Sequence, residues 1–75
     1  MTILQTLQEM QVKWASKCGY KLSIDEEMSE LHITSIYNII SRTYLEYLWY
    51  YDIRHYIDFH KKAIIIRKEE YERII

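Results

Sequence analysis

Asp52 and His55 lie three residues apart. On a helix that spacing projects a carboxylate and an imidazole from one face, as in helical sites that hold a pair of metal ions. Asp58, His60 and Glu46 are nearby in sequence. Only one Asp-x-x-His occurs, so a complete ligand set would need a second copy of the chain related by twofold symmetry. The plainer reading is a buried Asp–His hydrogen bond that fixes helix register. Asp52 and His55 are therefore weak metal candidates, and no cofactor is expected.

Other catalytic arrangements are missing. Cys18 is the single cysteine. It falls on the apolar arc of the first predicted helix with only Lys17 beside it, which is poor activation for a thiolate. His32 stands alone and reads as a surface residue or a cap. One glycine cannot build a phosphate-cradling loop. The expectation is a protein that is not an enzyme.

Binding chemistry has stronger candidates. The chain carries eight Tyr, two Trp and one Phe, and Tyr44, Tyr47, Trp49, Tyr50, Tyr51, Tyr56 and Phe59 crowd one segment. Tyr and Trp bring area, rigid shape and a polar tip to interfaces. Tyr47, Trp49, Tyr50, Tyr51 and Arg54 are the predicted partner-contact residues, because they mix aromatic and Arg character beside a polar strip. The same rings could instead fill an oligomer core or stack on bases. Arg54, Lys61, Lys62, Arg67 and Lys68 face only Asp58 in that stretch and form the alternative, a nucleic-acid surface. Glu69, Glu70 and Glu72 follow at once and offset much of that charge, as on a solvated helix face.

The elements that would position these groups follow from punctuation and periodicity. There is no Pro and one Gly, so the turn signals of a β-rich fold are scarce. Ile3, Leu4, Leu7, Met10, Trp14 and Cys18 share one arc of a helix, and Gly19 ends it. Ser23 with Glu26 has capping-box form and opens a second helix. Ile33, Tyr37, Ile40, Tyr44, Leu48, Tyr51, His55 and Phe59 keep a helical stripe. One long helix is thus predicted from about Ile24 to near His60, across the soft breaks at His32–Ser35 and Ser41–Thr43. A shorter helix follows from about Ala63, where the β-branched run Ala63–Ile66 could form a strand instead.

The predicted fold is all-α: a short N-terminal amphipathic helix packed on a long aromatic-rich helix, residues 1–75 forming a single helical domain. At 75 residues a core rarely supplies more than about 3–5 kcal/mol without a staple. One cysteine excludes an internal disulfide. The long helix would be apolar most of the way round, so a homodimer or higher helical bundle is expected.

Ten Lys and Arg against eleven Asp and Glu argue against a strongly basic nucleic-acid or membrane protein. No run reaches the roughly 18 apolar residues of a membrane span, and Met1–Gln5 lacks the basic start of a signal peptide. With one unpaired cysteine, the cytoplasm is the expected compartment. The functional expectation is a small oligomeric regulator or inhibitor that engages a larger protein, of the sort phages and other mobile elements carry.

Overall fold

Thr2 begins the first helix, α1 (Ile3–Met10), through a reciprocal cap: its Oγ accepts from the Gln5 amide at 3.2 Å, and Gln5 Oε1 accepts from the Thr2 amide at 2.8 Å. The helix then widens over Gln11–Ala15, where the Ser16 amide reaches back five residues to Gln11 O at 3.0 Å. The wider turn shifts the phase of the apolar arc. Ile3, Leu7 and Met10 stay buried, Ala15 turns inward, and Cys18 is exposed rather than buried. Gly19 terminates the segment at φ 86°, where an added Cβ would lie 2.8 Å from Ile36; only glycine fits there.

Beyond Gly19 the computed structural model, which describes all of residues 1–75, departs from the all-α expectation. Strands β1 (Tyr20–Asp25) and β2 (Glu30–Ser35) form a hairpin, α2 (Arg42–Tyr50) follows, β3 (Tyr56–Asp58) and β4 (Ala63–Arg67) form a second hairpin, and α3 (Lys68–Tyr71) closes the chain. The four strands make one antiparallel sheet in the order β1-β2-β4-β3. There is no long helix over 24–60. Ser23 lies within β1 rather than capping a helix, and Ala63–Ile66 takes the strand alternative.

Two physical features made the sheet hard to anticipate. First, its turns use side chains other than glycine. Asp25 Oδ1 accepts from the Met28 amide at 3.0 Å, and Asp58 Oδ1 accepts from the His60 and Lys61 amides at 3.0 Å each. Each four-residue loop then closes through a left-handed residue, Ser29 at φ 55° and Lys62 at φ 54°. The Lys61 and His60 amides also hold the Asp58 carboxyl below its ordinary pKa. Second, the stripe from Ile33 to Phe59 is helical only at Tyr44 and Leu48 within α2, and its continuation is a coincidence of spacing: Ile33 and Ile40 flank a turn in which Asn38 has φ 54°.

Strand alternation sorts the sheet into two faces. Register places Leu31 opposite Ile66, Ile33 opposite Ile64, and Leu22 and Ile24 opposite Ile33 and Leu31. These point to the helices, and Leu31, Ile33, Ile64 and Ile66 join Ile3, Leu7, Met10, Tyr44, Leu45, Leu48 and Tyr71 in one buried cluster. The other face carries Lys21, Ser23, Asp25, Glu30, His32, Thr34, Ile65 and Arg67, all exposed or half-buried. One covered and one solvated face is the usual antiparallel arrangement. Trp14, Tyr20 and Tyr44 fill one end of the core, Tyr20 meeting both other rings edge-on, with Tyr20 and Tyr44 centroids 5.1 Å apart. Burial pushes the Tyr44 hydroxyl well above its ordinary pKa, and it has no hydrogen-bond partner within the chain. No helix is long and apolar enough to cross a membrane.

Ser29→Gly separates this fold from a continuous helix over 24–60, because Ser29 is left-handed at φ 55° in the β1–β2 loop. At a left-handed position glycine removes strain but adds unfolded-state entropy, so the denaturation midpoint should correspond to no change or a gain of about 1 kcal/mol. In a helix interior the same substitution would cost about 0.5 kcal/mol.

Candidate partner-binding surface

Ser41 starts α2, accepting from the Tyr44 amide at 3.3 Å. Tyr44, Leu45 and Leu48 bury one side of this helix against the sheet. The end of α2 sets the surface. The Asp52 amide donates to Trp49 O at 3.1 Å and the Ile53 amide to Leu48 O at 2.9 Å, with Asp52 left-handed at φ 54°. This paired closure satisfies two end carbonyls, and Ile53 tucks into the core beside Leu48. Helix geometry therefore stops before Asp52.

A buried carboxylate fixes what comes next. Glu70, on α3, is 8% exposed and accepts from the Arg54 amide at 2.8 Å. Arg73 grips the same carboxylate with two nitrogens, Nε at 3.0 Å and Nη2 at 2.8 Å, and Nη2 also donates to Asp52 O at 2.9 Å. The Arg73 bonds, aided by the Arg54 amide, hold the Glu70 carboxyl below its ordinary pKa, and Glu70 in turn raises that of Arg73.

The rings of α2 that do not enter the core are left exposed. Trp49 is 60% exposed, Tyr50 81% and Tyr51 47%. Tyr51 packs between neighbours, its centroid 4.7 Å from Tyr47 and 4.9 Å from Tyr50. Partial burial, with Tyr51 adjacent, raises the Tyr47 pKa. On the other side Trp49 lies 6.0 Å from the His55 ring, and a shallow cleft of about 330 Å³ opens between Trp49, Asp52, Ile53, Arg54, His55 and Tyr56. His55 Nδ1 sits 2.8 Å from Ile53 O. A carbonyl only accepts, so Nδ1 is the donor in this contact.

The structure thus gathers Tyr47, Trp49, Tyr50, Tyr51 and Arg54 around one helix end. Asp52 and His55 line the cleft but do not face each other across a helix, and no group of three His, Cys, Asp or Glu side chains could hold a metal. The five cations do not share a helix face either. Lys61 and Lys62 occupy the β3–β4 turn, whereas Arg67 and Lys68 lie at the far end of β4, about 17 Å away at the usual strand rise. Arg67 pairs with Glu69 at 3.7 Å and Lys68 with Glu72 at 3.8 Å. His32 sits on β2 with Nε2 3.1 Å from Glu30. The predicted contact residues leave out Tyr56, which is 56% exposed, and Glu70, whose only signal was its three-residue spacing from Arg73.

No known protein family matches the chain, nor does any curated protein or solved structure.

Glu70→Gln should destabilise the fold by about 1–3 kcal/mol at neutral pH, because it weakens charged hydrogen bonds in a buried setting. The folded carboxyl titrates below its ordinary value of 4.5, so the wild-type margin is full above that value and is lost as pH falls through the folded pKa. Chemical denaturation of both proteins across an acid series should show the difference shrinking only below about pH 4.5; the Asp58 contribution is common to both and cancels.

Proposed function

We propose that this chain is a small non-enzymatic interaction protein that regulates or inhibits a larger protein by docking the end of α2 against it. One observation supports this reading above the others: Trp49, Tyr50 and Tyr51 stand exposed together on a helix end whose backbone is closed at both Asp52 and Arg54. Aromatic side chains lose little entropy when they are captured, and a fixed backbone lowers the ordering cost further. The cleft beside Trp49 has room for one partner side chain, with Arg54 at its margin for a carboxylate or carbonyl.

The nucleic-acid alternative would need Arg54, Lys61, Lys62, Arg67 and Lys68 to follow one backbone, and their separation along β4 disfavours it. The reading also takes the protein to be cytoplasmic, where an exposed thiol such as Cys18 stays reduced. Self-association belongs to the same proposal.

Affinity capture from host lysate followed by titration of the purified partner tests the docking surface. Trp49→Ala or Tyr51→Ala should each weaken binding by about 2 kcal/mol or more, roughly 30-fold, while Lys61→Ala leaves it unchanged. Equal affinity for all of these proteins would refute the surface.

A further inference from the structure

Sheet order leaves β1 as an edge strand. Its bonding groups can be assigned. The Ile36 amide donates to Gly19 O at 2.8 Å, which makes Gly19 and Ile36 a hydrogen-bonded pair. Alternation then turns the amides and carbonyls of Lys21, Ser23 and Asp25 towards β2, and those of Tyr20, Leu22 and Ile24 towards the open edge. Gln11 confirms the parity: its Nε2 reaches Tyr20 O from outside the hairpin at 2.6 Å. That bond closes the edge at Tyr20 and leaves Leu22 and Ile24 unpaired. The strand has no proline and no bulge to block pairing.

The side chains carry a second signal. On the solvated face Asp25 lies opposite Glu30, a like-charge pair, and Glu30 lies opposite Arg67. The row ends at the open edge on an acidic residue. On the helix-facing side Ile24 is 42% exposed although its cross-strand neighbour Leu31 is fully buried.

We propose that β1 pairs antiparallel with β1 of a second copy, joining two sheets into one of eight strands, in the register that sets Ser23 opposite the partner's Ser23. Only Leu22 and Ile24 then need to bond, each exchanging amide and carbonyl with the other residue of the partner strand, for four hydrogen bonds about the twofold axis. Sliding the strands so that Leu22 faces its own copy would instead require the Tyr20 carbonyl that Gln11 occupies. In the proposed register Lys21 stands opposite the partner's Asp25 on the solvated face, completing a row of Arg67, Glu30, Asp25 and the partner's Lys21. Leu22 stands opposite the partner's Ile24 on the helix side and covers it. Each charge and each apolar group meets its complement twice. This surface is separate from the aromatic end of α2.

Two readouts test it, both in protein carrying Cys18→Ser. Ser23 would sit at a non-hydrogen-bonded pair with Cα atoms about 4.5 Å apart, inside the range of about 4.4–6.8 Å that a disulfide bridges. Ser23→Cys should therefore form a covalent dimer under mild oxidation at least about tenfold faster than Glu27→Cys in the exposed turn. Sedimentation equilibrium should show a dimer for the parent protein and a monomer for Lys21→Glu, with unchanged far-ultraviolet circular dichroism because Lys21 is exposed. A monomeric parent, a Lys21→Glu dimer of undiminished affinity, or equal cross-linking at both positions would overturn the proposal.

Discussion

The Glu70 carboxylate accepts from the Arg54 amide and from two nitrogens of Arg73, and no other charged side chain in the chain is buried. Removing a carboxylate from water is costly unless its lone pairs are met, and here a bidentate guanidinium and a main-chain donor meet them. What the clamp joins explains its importance. Helix α3 has four residues and could not persist alone. Around it the Ile3 amide donates to Arg73 O at 2.9 Å, the Ile75 amide donates to Met1 O at 3.0 Å, and Thr2 bridges Ile74. Both chain ends and the segment after α2 therefore converge on one ion pair.

That convergence accounts for the shape of the aromatic surface. A nine-residue helix with three exposed rings at its end would ordinarily fray. Here Ile53 is anchored in the core, Arg73 holds the Asp52 carbonyl, and Glu70 holds the Arg54 amide. The rings are presented from a backbone fixed on both sides of the helix stop. If it docks a partner as proposed, a surface built this way would spend little of its binding energy on ordering itself. The open β1 edge is at the other side of the sheet from β3, whose Tyr56 shares a cleft with Trp49, so the proposed pairing would leave the end of α2 free.

Parts of this arrangement were legible in the sequence and parts were not, for identifiable reasons. The first helix and its stop at Gly19 follow from apolar spacing and from the one glycine, and Tyr44 and Leu48 were rightly placed on an apolar helical face. The sheet was hidden by its turns. Asp25 and Asp58 supply the side-chain caps, and Ser29 and Lys62 adopt the left-handed backbone that glycine usually takes. The period-two alternation of Tyr20, Leu22 and Ile24 with Lys21, Ser23 and Asp25 was the available clue, but a three-to-four spacing of apolar residues from Ile33 to Phe59 competed with it. Trp49, Tyr50 and Tyr51, the exposed rings of the proposed surface, were singled out by residue type alone. Glu70 was not, because its key acceptor bond spans 16 residues and joins a side chain to a backbone group that leaves no trace in composition.

The central claim is that the Glu70 carboxylate holds the backbone beneath the aromatic surface, and the amide of Arg54 reports on it directly. Nuclear magnetic resonance would follow that amide's chemical shift and hydrogen exchange as the folded protein is titrated into acid. The account predicts an amide protected at neutral pH whose resonance moves with a carboxyl titrating below 4.5, and whose protection falls over the same range. An Arg54 amide that exchanges like an unprotected residue at neutral pH, or that ignores the titration, would contradict it.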